Sequence, residues 1–217
     1  MIEKTLVLRD GTSLFYRVWP VEKPVATLHI NHGMAEHSAR YDRFATFLNE
    51  EGFSVYCQDH RGHGKTKKSM EDAGWFSEKD GWTTICDDSY ELDNLIEKEN
   101  KGIPHFIFGH SMGSFLTRTN VARHSASYKA AVFMGTGADN GIVGSVGKMI
   151  ARSRAKRYGT KHKDEFLNNL AFGSYLKKFD SASEGIFCGL SSTREEVKKS
   201  EDDPDCGFIC SSSFYGI

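Results

Sequence analysis

Short apolar runs alternate with segments of helical spacing along the first 137 residues. Four runs are long enough for buried strands: VATLHINHG, FSVYCQDH, HFIFGH and AAVFMGTG. Between them, RYDRFATFLNEEGF and residues 80–99 carry apolar residues at helical intervals, and an Asp10-Gly11 pair near the N-terminus predicts a β-hairpin. Strands that alternate with helices indicate an α/β fold, with a mostly parallel sheet covered by helices on both faces.

Polar or small residues follow each of the four predicted parallel strands. The strands end in His-Gly, Asp-His, Gly-His-Ser and Gly-Thr-Gly. Because active sites in such sheets lie beyond the carboxyl ends of the strands, we expect the functional residues at this edge.

The pattern changes after residue 137. Residues 148–163 are basic, with Met149, Ile150 and Tyr158 expected to make the apolar contacts, and residues 192–205 are highly charged. Between them lies FLNNLAFGSYLKKF, which has helical spacing and one apolar side. We therefore expect the N-terminal part of a core domain over residues 1–137 and a helical cap over residues 138–215.

Composition and charge narrow the class of protein. The chain has 217 residues and a formal net charge of -1, so its overall electrostatics do not indicate a nucleic-acid partner. No apolar run approaches the about 20 residues of a membrane-spanning helix. The five cysteines are scattered and odd in number, which favours free thiols in a reducing, cytoplasmic compartment. Cys206 and Cys210 lack a second pair that would complete a zinc site, so no metal is expected.

The sequence Gly109-His110-Ser111-Met112-Gly113 has the G-x-S-x-G pattern between a predicted strand and a predicted helix. In that context the pattern is typical of a nucleophile elbow, in which a strained turn presents the serine. The flanking glycines remove the clashes that side chains would make there. A serine helix cap is the plainer interpretation, but glycines on both sides favour Ser111 as a nucleophile.

Acyl transfer at a serine also requires donors for the developing oxyanion. In this motif one donor is the amide of the residue after the nucleophile, here Met112. The second comes from the loop after an earlier strand, and NHGMAEH occupies that place. We expect Gly33 to allow the turn and the amide of Met34 to be the second donor.

The stretches HGMAEHSARYDRF, DHRGHGKT and GHSMGSF occur in this order and resemble the monoacylglycerol lipase and lysophospholipase branch of the α/β-hydrolases. GWFSEKDGW, VFMGTG and CGFICSSSFY are similar to further stretches of that branch, so the resemblance runs from about residue 10 to the end. It implies a three-layer α/β sandwich with a helical cap, and hydrolysis of single-chain lipid esters without a cofactor. It carries the nucleophile to Ser111 and the oxyanion donors to Met34 and Met112.

The same resemblance implies that the acid and the histidine of a catalytic triad follow the cap. We therefore expect both residues, and the last strands of the sheet, to be absent from these 217 residues, so that the chain alone turns over poorly. His124 is too far along its helix to reach Ser111, and His162 lies in the basic segment. Asp139 follows a strand but has no histidine to orient. We expect the open sheet edge to favour self-association.

Other histidines occur near the predicted strand ends: His32, His37, His60, His63 and His110. They are compatible with a metal site or an alternative base, but the resemblance favours hydrogen bonds that fix the loops. Asp59 and Arg61 are expected to pair within one of these loops.

The resemblance also implies an apolar substrate tunnel beneath the cap. Phe166, Leu170 and Phe187 are candidates for its lining, with Gly33 and His110 near the nucleophile. The basic run in residues 148–163 is compatible with peripheral contact with membranes or micelles, or with a solvated helix face. Two alternatives remain open. One is a peptidase or small-ester hydrolase in which Glu36 holds a free amine, and the other is a non-catalytic lipid-binding remnant.

Overall fold

The computed structural model describes residues 1–138, 141–176, 187 and 189–216. The strands are β1 (Ile2–Val7), β2 (Ser13–Trp19), β3 (Ala26–Asn31), β4 (Phe53–Gln58), β5 (His105–His110) and β6 (Ala130–Met134). The helices are α1 (Asp42–Glu50), α2 (Gly81–Glu99), α3 (Met112–His124), α4 (Gly141–Tyr158), α5 (Glu165–Leu176), α6 (Arg194–Glu201) and α7 (Ser212–Tyr215). Short 3-10 turns lie at Ser38–Tyr41, Met70–Asp72 and Ser125–Ser127.

The six strands form one sheet in the order β1-β2-β4-β3-β5-β6. β3 pairs in parallel with β4 and β5, and β5 pairs in parallel with β6. Only β2 pairs antiparallel with its neighbours, β1 and β4. Helix α1 contacts β4 and β2, whereas α2 and α3 pack on the other face of β3. The predicted three-layer fold with a mostly parallel sheet is confirmed.

Local signals account for several boundaries. The β1–β2 hairpin turns at Gly11, which has φ 81°, and the Thr12 amide donates to Asp10 Oδ1 at 3.0 Å. Helix α1 ends at Glu50, two residues before Gly52 with φ 83°. Both glycines occupy the left-handed region that side chains disfavour, which is why the sequence marked these turns correctly.

The central strand β3 is fully buried but has two different faces. Leu28 and Ile30 join an apolar cluster with Tyr41 and Ala45 on the α1 side. The alternate positions, Thr27, His29 and Asn31, are polar and face α2 and α3. Buried polar groups require partners, so this face depends on hydrogen bonds.

Those hydrogen bonds form a buried network centred on Asp93 of α2. Its Oδ1 accepts from His29 at 2.6 Å and His105 at 2.9 Å, and its Oδ2 accepts from the Tyr128 hydroxyl at 2.6 Å. Burial disfavours the Asp93 carboxylate, but the two histidines outweigh it and lower its pKa to about 2. His29 also contacts Gln58, whose amide donates to Asn31 at 2.8 Å.

After β6, the described residues form helices joined by loops. One isolated β-bridge links Lys163 and Ser211. The segment 203–211 returns to loops at the carboxyl edge of the sheet. Gly207 donates its amide to Ala35 O at 2.9 Å, and Ser211 donates its amide to Gly74 O at 3.1 Å. The boundary between core and cap at residue 137 stays a prediction.

Several apolar side chains on helices α1 and α4 are largely exposed to solvent. Phe47 of α1 is 56% exposed, and Met149 and Tyr158 of α4 are 64% and 48% exposed. The apolar contacts expected of Met149 and Tyr158 stay a prediction; Arg154 lies over the Tyr158 ring at 5.0 Å. None of the helices that the structure describes is long and apolar enough to span a bilayer.

Strand β6 lies at an edge of the sheet and is apolar on both faces. Its sequence AAVFM has no charge, and Val132, Phe133 and Met134 are 52%, 40% and 53% exposed. Natural edge strands are commonly protected by charges, prolines or bulges. The AAVFM edge has no charge or proline, so self-association through β6 stays a prediction.

The substitution Val132→Lys tests that prediction. A lysine on the edge opposes pairing with a second chain, so we expect the associated fraction in sedimentation velocity to fall. Val7→Lys is the matched control, because Val7 is 68% exposed on the opposite edge strand. A wild-type chain that sediments as a monomer at all concentrations would contradict the prediction.

Candidate active site

Ser111 lies between the last residue of β5 and the first residue of α3. Its φ is 51° and its ψ is -118°, a sparsely populated conformation for a residue with a side chain. The Ser111 amide donates to Met134 O at 2.9 Å, and its carbonyl accepts from the Ser114 amide at 2.9 Å and the Ser114 hydroxyl at 2.6 Å. These bonds hold the strained turn at the partly exposed tip of the strand.

The two glycines of the motif are required by close backbone contact. A Cβ at Gly113 would lie 2.0 Å from Asn31 O, and a Cβ at Gly109 would lie 2.3 Å from Gly113 O. Neither distance is possible between non-bonded atoms. The first turn of α3 therefore packs directly on the end of β3 because both positions lack a side chain.

The loop after β3 passes directly beside Ser111. A Cβ at Gly33 would lie 3.4 Å from Ser111 Cβ and 2.7 Å from Glu36 Oε1. The expectation that Gly33 allows the turn was wrong in its reason, since the left-handed residue of the loop is Ala35, with φ 51°. Gly33 instead provides room for the close approach of the loop to the elbow.

Met34 and Met112 flank the elbow, and their side chains belong to one apolar cluster with Phe76 and Leu116. Within the described part of the chain, neither residue donates its backbone amide to a protein acceptor. Both amides therefore lack an acceptor among the described residues. Their function as oxyanion donors stays a prediction.

Glu36 and His110 connect the loop to the elbow. Glu36 Oε1 accepts from the Gly33 amide at 2.5 Å, the Tyr41 hydroxyl at 2.9 Å and His110 Nδ1 at 3.0 Å. The hydrogen bond to Glu36 raises the pKa of His110 despite partial burial. Burial opposes ionisation of Glu36, but His110 and the other donors lower its pKa overall. His110 thus clamps the loop, and its predicted contact with substrate remains untested.

Three further histidines are buried and hydrogen bond to the loops. His32 Nε2 accepts the His60 amide at 3.0 Å, and His63 Nε2 accepts the Ala35 amide at 3.2 Å. Burial lowers the pKa of His32 and His60 well below its ordinary value and that of His63 to about 4, so all three are neutral at pH 7. Their hydrogen bonds fix the loops, which is the role that the resemblance favoured for these histidines.

The predicted pair of Asp59 and Arg61 does not form. Arg61 donates to Asp88 at 2.6 and 2.8 Å and pairs with Asp10 at 2.8 Å. Asp59 instead accepts the amides of Ser38 at 2.8 Å and Lys65 at 2.7 Å. Adjacent positions in the sequence face different partners here, so proximity in sequence was misleading.

The predicted substrate-binding residues of the cap are dispersed. Phe166 and Leu170 are 52% and 55% exposed on α5. Phe187 is partly buried, and its ring packs on Gly207, whose amide bonds to Ala35 beside the elbow. Of the three, Phe187 is connected to the candidate site through described contacts.

A cavity of about 380 Å³ adjoins the apolar cluster of Met34 and Met112. Phe76, Trp82 and Phe214 belong to both the cavity lining and that cluster. Arg152 lies at the cavity, where its Nε donates to Gly216 O at 2.9 Å. The cavity therefore shares aromatic walls with that cluster and has charged residues elsewhere in its lining, which does not include Ser111, Met34 or Met112.

The described residues place no base on Ser111 Oγ. The ring of His124 stacks on Tyr90 at 3.5 Å, and His162 lies 5.1 Å from the ring of Tyr158. Neither contacts Ser111, as expected, and Asp139 lies outside the described residues. His110 directly precedes Ser111 in the chain, but its Nδ1 is bonded to Glu36.

Two contacts were missed by sequence reasoning: His37 with Asp203 at 2.8 Å, and Gly207 with Ala35 at 2.9 Å. Each joins the loop after β3 to a segment more than 160 residues away. No spacing rule within one sequence reports such a pair.

Replacing Gly113 with alanine is expected to destabilise the fold by about 2 kcal/mol or more, since the new methyl group overlaps Asn31 O. Urea unfolding followed by circular dichroism measures the change. Gly147→Ala in α4 is the control, because a Cβ there meets nothing within 4 Å and helix propensity favours alanine. Equal stability of the Gly113 variant and wild type would contradict the packing described above.

Glu36→Gln is expected to lower the free energy of unfolding by about 1–2 kcal/mol near pH 5.5, and by less at pH 9. The His110 contribution is complete below its ordinary pKa of 6.5 and is lost as pH rises through the raised folded value. The Glu36 contribution is complete above 4.5 and is lost as pH falls through the lowered folded value. The pair therefore contributes most between these two values.

Urea unfolding at several pH values measures this profile. Glu50→Gln at the exposed end of α1 serves as the control. A loss that is the same at pH 5.5 and pH 9 would show that the ion pair is not its source.

A family model described as serine aminopeptidase, S33, matches residues 22–216. Among curated proteins, human monoglyceride lipase is 31% identical over 130 residues, which are 59% of this chain and 41% of that lipase. The monoacylglycerol lipase of Mycolicibacterium smegmatis is 31% identical over 126 residues, which are 58% of this chain and 43% of that lipase. The matched part spans less than half the length of these relatives.

Solved structures show the same architecture. A lipase in an open form superposes with a TM-score of 0.80 at 24% identity, covering 99% of this chain and 70% of that one. A carboxyl esterase of Bacillus coagulans in complex with glycerol gives a TM-score of 0.75 at 24% identity, with the same coverage. A monoglyceride lipase of Saccharomyces cerevisiae gives 0.71 at 19% identity, covering 98% of this chain and 65% of that one.

The family match covers most of the chain, and the solved structures share its fold. The chain therefore belongs to the serine aminopeptidase S33 family of α/β-hydrolases, in the branch that includes the monoglyceride lipases.

Proposed function

We propose that this chain provides the nucleophile and oxyanion site of a serine esterase that hydrolyses single-chain lipid esters, such as a monoacylglycerol or a lysophospholipid. The observation that carries the proposal is the strained Ser111 at a strand tip, with Gly33 packed beside it. A backbone held in a costly conformation at a partly exposed serine is typical of a nucleophile elbow.

In the proposed reaction, Ser111 Oγ attacks the ester carbonyl carbon and loses its proton to a base. The carbonyl oxygen becomes negatively charged and accepts hydrogen bonds from the amides of Met34 and Met112. Each such donor contributes about 10²–10³ in rate. The alcohol leaves with a proton, and water then hydrolyses the acyl group from Ser111.

The base is the element that the described residues do not supply. Loss of a triad histidine reduces turnover by about 10⁶ in a serine protease. We therefore expect slow hydrolysis by this polypeptide alone, with the remaining rate due to binding and the oxyanion site.

A lipid substrate is supported by the apolar surroundings of the elbow. Met34 and Met112 border Ser111, and three aromatic residues of their apolar cluster form walls of the cavity. Curated relatives of this branch are named monoglyceride lipases. An acyl chain near these walls and a polar head group near Arg152 would match the two kinds of lining residue.

Peripheral contact with a lipid surface belongs to the same proposal. Ile142 and Val143 at the start of α4 are 84% and 79% exposed, with Lys148 further along the helix. Exposed apolar residues beside basic ones suit an interface with anionic lipid. Part of the basic run is engaged elsewhere, since Lys161 pairs with Asp72 at 2.6 Å and Arg154 with Asp164 at 2.7 Å.

The aminopeptidase alternative is less well supported. A free substrate amine requires an accessible carboxylate, and Glu36 already accepts from Gly33, Tyr41 and His110. A non-catalytic lipid-binding remnant would have no use for a strained serine between two available amides.

A fluorophosphonate probe tests the proposal on the chain as it exists. We expect a covalent adduct on Ser111, formed slowly in buffer and at least several-fold faster with added imidazole, which substitutes for the absent base. Intact-mass measurement and peptide mapping identify the site. Ser111→Ala abolishes the adduct, and Ser125→Ala, at an exposed serine, leaves it unchanged.

If Ser111 remains unlabelled even with imidazole, the esterase proposal is wrong and the remnant becomes the better explanation. If labelling occurs, the imidazole-activated chain is given a monoacylglycerol, a lysophospholipid and an aminoacyl amide. Preferential cleavage of the amide would favour a peptidase.

A further inference from the structure

His37, Asp203 and Cys206 meet where the cap returns to the loop after β3. One ligand atom from each residue lies within 4.8 Å of the other two. His37 is buried, whereas Asp203 and Cys206 are partly exposed. No described hydrogen bond or ion pair joins the three side chains to Ser111, and the cluster has no part in the proposed reaction.

We propose that His37 Nε2, an Asp203 carboxylate oxygen and Cys206 Sγ bind one divalent cation of the zinc type. An imidazole nitrogen, a thiolate and a carboxylate form a donor set that Zn²⁺ and Co²⁺ accept readily. Ca²⁺ and Mg²⁺ prefer oxygen ligands and are not expected here.

The geometry requires only small movements. Tetrahedral coordination at ordinary zinc bond lengths separates ligand atoms by about 3.3–3.8 Å. His37 Nε2 and Asp203 Oδ2 are now 2.8 Å apart and would separate slightly, while Cys206 Sγ would move inward by at most about 1.5 Å. The exposure of Asp203 and Cys206 leaves room for water as a fourth ligand.

The local charges favour a cation overall. Burial opposes ionisation of Asp203, but the hydrogen bond from His37 lowers its pKa, so the carboxylate is charged at neutral pH. Glu36 lies nearby and is also ionised. Arg40 is the opposing charge; its side chain hydrogen bonds to Cys206 and pairs with Glu36 Oε2 at 3.7 Å.

Cation binding must displace a proton from the thiol. The free thiol carries a proton, whereas a metal-bound thiolate carries none. The binding step therefore forms a metal–sulfur bond and releases the thiol proton to solvent. The proton that His37 Nε2 donates to Asp203 must also leave that nitrogen, for Nδ1 or for solvent, as Nε2 binds the cation. Apparent affinity should rise with pH as a consequence.

The site joins two parts of the chain that also contact each other through backbone. His37 follows Glu36 in the loop beside the elbow, and Gly207, next to Cys206, donates its amide to Ala35. A bound cation would therefore fasten residues 203–206 to that loop. Because folding creates the site, binding stabilises the folded chain.

Cobalt titration of the chelator-treated chain tests the proposal directly. We expect one Co²⁺ per chain, with a thiolate-to-cobalt charge-transfer band in the near ultraviolet and visible bands of tetrahedral intensity. One equivalent of Zn²⁺ should remove both. Thermal unfolding should occur at higher temperature with either ion.

Cys206→Ala should abolish the charge-transfer band, and Asp203→Asn should weaken cobalt binding by at least about 100-fold, since a direct ligand is lost. Cys86→Ala is the control, because Cys86 is buried outside the cluster. Circular dichroism establishes that each variant is folded.

A wild-type chain without a thiolate–cobalt band would overturn the proposal, as would a band that persists in the Cys206 variant. Neither result bears on labelling of Ser111, so this site and the proposed esterase function are tested separately.

Discussion

The structure depends on a contact between two backbones with no side chain between them. Gly113 in the first turn of α3 lies against Asn31 O at the end of β3, and Gly109 lies against Gly113. Only at this separation can the chain leave β5, pass through the strained Ser111 and continue directly into α3. The positive end of the helix dipole and the free amide of Met112 are thereby placed at the strand tip.

A second constraint is the partly buried carboxylate of Glu36. It accepts hydrogen bonds from the loop that carries Met34, from Tyr41 and from His110, and so fixes the loop after β3 to the elbow after β5. The segment 203–207 is joined to the same loop through Asp203 and Gly207. Ser111, the candidate oxyanion donors and this segment therefore share one group of neighbouring residues, although they come from three distant parts of the chain.

Local signals in the sequence predicted much of this arrangement. Apolar runs located the central strands, Gly11 and Gly52 marked turns, and the motif around Ser111 placed the elbow. Long-range choices were not predictable. Arg61 selects Asp88 and Asp10 rather than the nearby Asp59, and Ala35 makes the turn assigned to Gly33. The partners of a charged side chain depend on which segments meet in space. Local patterns along the sequence do not identify those segments.

The polar face of β3 has a consequence for how the sheet assembles. Thr27, His29 and Asn31 each bond to a particular group on a neighbouring element, and Asp93 collects three donors at once. Contacts between apolar side chains tolerate a shift in strand register, whereas directional hydrogen bonds do not. A shift of β3 by a single residue would turn the His29 ring and the Asn31 amide towards α1. It would also leave the buried Asp93 carboxylate without its bond to His29. Registers of β3 other than the observed one are thus strongly disfavoured.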